Sequence, residues 1–489
     1  FSVARLNPNG SFDASFDGDG KAFVSVGDQA AGGNDFAYAL ALQPDGKILV
    51  GGESDFLNTA RDFSLARLNT DGALDTTFDG DGKARASFGG GQNEAIRSLA
   101  VHAADGKIVA AGFGGENSVR GFALARYNAY GSPDATFDGD GKVVTPTSGN
   151  ANEAANAVAI QADGKIVAAG YSVLQMALVR YNLDGSLDTS FSGDGKVYTT
   201  IYPNGATQAR AALIEPNGKI VVAGNATKGG GIDEDFVWAR YNADGTPATD
   251  LGTFGYVVTN PFDQTDQPSE GRSVAVQTDG KIVVGANRVI NENLTVGAIV
   301  RCTADGALDA SFASSTTTSG VGGVATISVP GALTHELNAV AIQPDGKILA
   351  VGTYEDQAEI GIFVVRLNAD GTRDTAFGGN GNGFALIPSQ NGGGLGQDIA
   401  LSAADGKILV AGASPNFAIQ TVEFAAYRLN PNGMRDASFG SNGVARAAVG
   451  AAGNDAAFAV AVQADGKVVL GGAINFFEGN NSDAALVRF

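Results

Sequence analysis

Residues 16–21 read FDGDGK, and the same six letters return at 78–83 and at 137–142. Paired carboxylates among glycines suit a hard divalent cation, since Ca2+ takes about six to eight oxygen ligands. With the aspartate just upstream, each copy supplies three: Asp13, Asp17 and Asp19; Asp75, Asp79 and Asp81; Asp134, Asp138 and Asp140. Three carboxylates could seat Ca2+ with backbone carbonyls and water. They do not make an EF-hand loop, which needs a further acidic position and a closing bidentate Glu. The fourth copy reads FSGDGK, with Ser192 in place of the first Asp, and the seventh and eighth read FGGNGN and FGSNGV. The acids fade while the glycines stay, so the shared requirement is backbone geometry. Calcium is expected, if anywhere, only in the first three or four copies.

Arginine recurs more strictly. It stands at one position of a repeated apolar segment as Arg5, Arg67, Arg126, Arg180, Arg240, Arg301, Arg366, Arg428 and Arg488. A buried guanidinium without a partner would cost several kcal/mol, so each needs a repeated anion. The aspartates Asp13, Asp75, Asp134, Asp188, Asp309, Asp374 and Asp436 are the candidates. We read a structural latch, because catalysis has no use for nine copies of one group. A second set of acids, Asp35, Glu94, Glu153, Glu270, Glu336, Asp398 and Asp455, precedes another repeated segment. These could ring a channel mouth and hold a cation or a basic ligand, or they could pair with the arginines or cap turns.

Other chemistry is sparse. His102 stands where sister segments have Gln, and His335 opens HELNA, which lacks the second His of a zinc-protease helix. No nucleophile elbow and no P-loop occur. A glycosidase-like carboxylate pair about 5–9 Å apart could hide among 52 acids. A net charge of −20 repels phosphate backbones and anionic membrane surfaces. Nucleic acid is therefore not an expected partner. The single cysteine, Cys302, excludes an intrachain disulfide, and it fills a slot taken elsewhere by Leu68 or Tyr127, which marks it as a small core residue. No apolar run reaches the ~18 residues of a membrane helix. The chain starts at Phe1 without Met, so a secretion signal, if there is one, is expected outside this sequence.

The segments that must position these groups are repeats. AVAIQADGKIVAAG at 157–170 recurs eight times, with central glycines at 46, 106, 164, 218, 280, 346, 406 and 466. FSLARLNTDGALDTTF at 63–78 alternates with it, and a truncated ninth copy, DAALVRF, stands at 483–489. Apolar runs of four to six residues, rich in Val, Ile and Leu and bounded by Asp-Gly or Asn-Gly, read as strands. One unit holds four: A (156–161), B (165–170), C (176–182) and D (196–200). Asp-Gly between A and B supplies the positive φ of a tight hairpin. Four antiparallel strands in about sixty residues, eight times over, predict an all-β, eight-bladed β-propeller.

The pattern R-[LY]-N-x-D-G-x-L-D-x-[ST]-F-x-G-D-G-K, followed by A-[VI]-Q-x-D-G-K-I-[LV]-V-x-G, resembles the bacterial delta-60 repeat family of β-propeller domains, over essentially the whole chain. That resemblance implies the fold and large secreted or surface proteins of bacteria, with no established activity. TPATDLGTFGYV at 246–257 and ALDASFASSTTTSG at 307–320 depart from it, which leaves strand D open in those units.

A single domain over 1–489 is expected, with units at approximately 10–69, 72–128, 131–182, 185–242, 245–302, 306–368, 371–430 and 433–489. The ring should close by both termini sharing a blade, with 21–26 as its D strand. Residues 1–9 then form a surplus C-type strand, either a frayed end or a segment donated to an adjacent molecule, so self-association through Phe1–Asn7 or Asp483–Phe489 is open. One face of the disc carries near-identical A–B and C–D turns; the other carries variable B–C loops, where recognition usually lives. Phe56, Phe113, Tyr354, Phe417, Phe476 and Phe477 are its aromatic candidates for protein or glycan contacts. The expected function is a non-catalytic, extracytoplasmic scaffold or interaction module that could self-assemble by strand exchange. The alternative is a carbohydrate-active enzyme or lectin using carboxylates at the channel mouth.

Overall fold

The computed structural model describes the chain except residues 28–34, 57–59, 90–92, 116–119, 149–152, 216, 229–233, 250–254, 260–268, 292–293, 305–306, 314–321, 389–393, 417–420, 448–454, 464 and 474–489. Among the described residues every regular element is a strand, and the strands form eight four-stranded antiparallel sheets arranged as the blades of a propeller. Blade 1 runs A (Asp35–Leu42), B (Ile48–Asp55), C (Arg61–Leu68) and D (Lys83–Ala86). The A strands of the following blades are Ala95–Val101, Glu153–Ile160, Thr207–Ile214, Ser269–Val276, Thr334–Ile342, Leu395–Leu401 and Ala456–Val462. The two departing units do form D strands, at Tyr256–Thr259 and Val324–Thr326.

The middle strands read as continuous apolar runs because neighbouring blades cover both faces of each sheet. Every residue of Ile108–Gly114 is buried. The A–B link is a three-residue hairpin: Gly46 takes φ of +83°, and the Gly46 and Gln43 amides close it onto Gln43 and Lys47 carbonyls. Glycine is used there because L side chains rarely adopt that φ.

The closing blade is built from A (Ala456–Val462), B (Val468–Ala473), C (Ser2–Leu6) and D (Lys21–Phe23). Ser2 pairs with Gly472 and Leu6 with Val468. The expected surplus at 1–9 is thereby corrected: Ser2–Leu6 fills the C position, paired with the last B strand on one side and with Lys21–Phe23 on the other. The other copy, 483–489, lies outside the described residues. Each sequence unit also spans two blades, since 10–69 holds the D strand of the closing blade and the A, B and C strands of blade 1.

The A strands of adjacent blades pack on one another, which places them innermost. Each carries one β-bulge at the same point, after Ala37, Ile96, Ala155, Ala209, Gly271, Leu337, Gly396 and Ala457.

Candidate functional site

On the face with the uniform turns, seven of the recurring arginines pair with an aspartate. Arg67 Nε donates to Asp75 at 2.7 Å, and Arg5–Asp13, Arg126–Asp134, Arg180–Asp188, Arg301–Asp309, Arg366–Asp374 and Arg428–Asp436 repeat the pair at 2.6–2.8 Å. The lysine of the A–B turn joins the same carboxylate: Lys47 lies 2.8 Å from Asp75, and Lys467 lies 3.0 Å from Asp13 across the joined termini. Each of these guanidinium groups also covers the ring of the Phe that ends the motif, as Arg67 covers Phe78 at 4.6 Å, and Arg67, Arg126, Arg180, Arg301 and Arg366 reach a carbonyl of the next blade, as Arg67 reaches Ala129. Burial alone would raise the Asp75 carboxyl, but hydrogen bonds from Lys47 and Thr77 and the Arg67 charge hold it well below the usual carboxylate range. One latch is rewired. Blade 4 has Ala248 where its sisters have Asp, and Arg240 turns instead to Glu215 at 3.0 Å, which stands where five sister strands have Gln.

The FDGDGK turn is explained by backbone geometry. Asp17, Asp79 and Asp138 hold φ near +50°, and their amides donate to carbonyls of the next blade's turn, at Asp71, Tyr130 and Asp184. Ser192, Ala313, Gly378 and Gly440 make the equivalent bond without a carboxylate. Asp19, Asp81 and Asp140 accept from the amides of Lys21, Lys83 and Lys142 at 2.9 Å, an Asx-turn. The three aspartates of each expected triad thus serve three separate jobs. Among the described residues, no group of three or more His, Cys, Asp or Glu is placed to hold a metal ion.

Of the seven acids expected at the channel mouth, five are buried or half-buried, and four of these accept backbone hydrogen bonds. Glu94, Glu153 and Asp455 are 0%, 1% and 0% exposed. Glu94 accepts from the Phe88 amide, Glu153 from the Thr147 and Ser148 amides, and Asp35 from the Val26 and Gly27 amides, so three of them cap D–A loops. Burial pushes the Glu94 carboxyl up to about 7. Asp398 occupies a different position, one residue past the bulge, and accepts from the Val460 amide of the next blade at 3.0 Å. Ser98 and Ser273 receive the same bond, from Val158 and Val340. Desolvation raises the Asp398 carboxyl to about 7. Glu336 is exposed, and the Glu270 side chain lies outside the described residues.

Of the expected aromatic contacts, Phe113 and Tyr354 are buried and pack inside blades, while Phe56 is half-buried beneath the Arg85 guanidinium at 3.9 Å. Phe417, Phe476 and Phe477 lie outside the described residues.

The feature missed from sequence is the ring made by the bulges. The bulged residues are Tyr38, Arg97, Asn156, Arg210, Arg272, Asn338, Gln397 and Phe458, all half-buried on the innermost strands near the variable face. They reach between blades: Arg97 lies over the Tyr38 ring at 5.0 Å, Asn156 donates to the Ala209 carbonyl at 2.8 Å, and Asn338 donates to Gly396 at 2.7 Å. A column of large or polar residues between small ones, as in AANAV at 154–158, was the available signal.

Elsewhere the chemistry is quiet. Cys302 is buried, and burial raises its thiol to about 12. His335 is buried with Nε2 2.7 Å from the Ile327 carbonyl, as a core histidine would be. His102 turns to Asp105 at 2.7 Å, beside a cavity of about 250 Å3 lined by Lys107, Arg126, Thr136 and Leu183. Both cations there are already paired to Asp134. No helix among the described residues is long and apolar enough to cross a membrane.

A family model described as a domain of unknown function (DUF5122) beta-propeller matches residues 1–16, 43–78, 103–137, 161–191, 215–247, 277–312, 343–377, 403–439 and 463–489, more than half of the chain. No curated protein sequence matches significantly. Among solved structures, Sqt1 from Chaetomium thermophilum is similar at 11% identity and a TM-score of 0.46, covering 90% of this chain and 97% of its own. Another Sqt1 structure, bound to the N-terminus of the ribosomal protein L10, gives 12% and 0.45, covering 90% and 97%. An α-L-arabinanase from Penicillium chrysogenum complexed with arabinobiose gives 10% and 0.33, covering 64% and 90%. None of these likenesses says what this chain binds.

Proposed function

This chain belongs to the DUF5122 β-propeller family, and we propose that it is a non-catalytic scaffold or interaction module that presents its variable face to a protein or glycan ligand. The observation that supports this most directly is the unequal commitment of side chains on the two faces. Charged groups of the uniform face are consumed in latches, while the opposite face combines loops of differing length with aromatic rings and arginines. Three of the acids that an enzyme could use at the mouth, Asp35, Glu94 and Glu153, are spent on D–A loops. Incubation with neutral and acidic polysaccharides tests the reading by reducing-end release. No release is expected; turnover abolished by substitution of a channel carboxylate would overturn the non-catalytic assignment.

The resemblance to delta-60 repeats supports an extracytoplasmic setting in bacteria. We also propose self-association by strand addition. Residues 483–489 repeat the C strand that Ser2–Leu6 already supplies, so two sequence copies answer to one place in the closing blade. Light scattering of the full chain against one ending at residue 482 should show oligomers only for the former. Calcium, if used, acts at the exposed first three C–D turns; an unchanged melting temperature on adding Ca2+ or chelator would remove it.

A further inference from the structure

We infer that the gap between blades 2 and 3, on the uniform face, is a binding site for a small primary carboxamide with an apolar body. The ligand would stand where sister blades place the side-chain amide of a glutamine.

Five blades enter the A–B turn on a glutamine, at positions 43, 161, 277, 343 and 463. Its amide works in both directions at the seam between blades. Gln43 and Gln161 Oε1 lie 3.5 and 3.4 Å from Nη1 of the latch arginines Arg67 and Arg180. Gln277 and Gln463 Nε2 donate at 3.3 Å to the Gly346 and Gly46 carbonyls, on the A–B turn of the next blade. Blade 2 has His102 instead, on a turn one residue longer, closed by the His102 amide on Lys107 and the Gly106 amide on His102. His102 Nδ1 donates to Asp105 at 2.7 Å, so the imidazole is held by its own turn and does not replace the glutamine.

Three groups are left around the gap. Arg126 and Lys107 stay on Asp134, and Arg126 also reaches the Leu183 carbonyl and Thr136, but among the described residues no side-chain amide stands beside it as in blades 1 and 3. The Gly164 carbonyl, the counterpart of Gly46 and Gly346, receives no side-chain bond among the described residues. His102 Nε2 opens on the same space, 3.6 Å from where a Cβ on Gly164 would stand. One donor with two acceptors is the complement of a primary carboxamide, whose oxygen accepts from Arg126 while its two N–H groups donate to Gly164 and His102. A carboxylate would bring a donor to neither acceptor. The cavity, of about 250 Å3, has an apolar wall of Val109, Ile160, Ile166 and Leu183, which suits a single ring. Leu183 is 55% exposed and stands where sister turns carry Ala129, Ala243 and Ala369, so this seam alone among them gains a large apolar side chain.

Calorimetric titration of the full chain with benzamide tests this, with benzoate and benzyl alcohol as controls. Saturable binding of benzamide is expected, about tenfold or more tighter than either control. The chain has two histidines, so imidazole NMR signals locate the ligand: His102 should shift and the buried His335 should not. H102Q gives blade 2 the amide of its sisters and should weaken benzamide about tenfold or more, with thermal melts establishing folding. L183A, copying Ala129, should weaken it about threefold and carries the test if H102Q does not fold. Titration with N-acetylglutamine methylamide separates the two sources of such a group. Tighter benzamide supports a free ring amide; tighter glutamine derivative supports the same site filled by a side chain of a partner protein. Binding of neither amide, equal affinity for benzamide and both controls, or wild-type affinity in folded H102Q and L183A overturns the inference.

Discussion

The two faces of this propeller are made by one repeat yet obey different rules. On the uniform face, a buried arginine, an aspartate, a lysine and a phenylalanine recur at fixed spacing, and in five blades the arginine also ties to the next blade through a backbone carbonyl. On the opposite face the loops differ, and the groups nearest the axis change from tyrosine to arginine to asparagine between blades. The repeat is held constant where charge is buried and a mismatch is costly. It drifts where side chains meet solvent.

The largest expected effect breaks the uniform face. Asp75→Ala leaves Arg67 buried without its carboxylate and should cost about 3–5 kcal/mol, read by denaturant unfolding. Blade 4 sharpens the point, since its anion sits on the A–B turn. Glu215→Gln should destabilise strongly, and adding Ala248→Asp should restore most of the loss, giving a non-additive double-mutant cycle. Separate, additive effects would mean that Arg240 does not need a formal charge.

pH probes the faces with opposite sign. The latch aspartates are held below their unfolded value of about 3.9. Their stabilisation is present above that value and is lost as pH falls through the lower folded values, so unfolding stability should drop below about pH 4. Asp398 lies the other way. Its folded carboxyl, at about 7, holds a proton that the unfolded chain has released, so it weakens the fold progressively as pH rises from about 4 to 7. Asp398→Ser, copying Ser98 and Ser273, should lessen that slope, with the part due to Glu94 remaining, and leave acid stability unchanged. The smallest effect belongs to the variable rim: Phe56→Ala removes the ring beneath Arg85 and should cost about 0.5–1 kcal/mol or less.

Much of the fold was legible because its signals are local. Asp-Gly hairpins, short Val and Ile runs and the recurring arginine need no long-range information. The bulges were missed because a bulge is a slip in pairing register, and its one mark in the sequence is a large or polar residue between small ones, as at Asn156. The acid ring failed for a related reason. Blade 7 has Gly394 at the loop-capping position, so the nearest acid, Asp398, was grouped with residues whose place it does not share. The exchange between Glu215 and Ala248 could have been read, since EPNGK and TPATD depart from their sisters together, but only once the two segments were known to touch.

Ring closure also puts a clock on the molecule. In blades 1 to 7 the B and C strands follow one another closely, as Ile48 meets Leu68, and such hairpins can pair soon after they are made. In the closing blade Leu6 must wait for Val468. Joining ends so distant carries up to about 3 kcal/mol more loop-closure entropy than a local hairpin. During synthesis from the N-terminus, Ser2–Leu6 precedes the other strands of this propeller and pairs early with Lys21–Phe23, yet it is among the last to find its B-strand partner. Until then the growing chain is an open arc with an unpaired edge at its start.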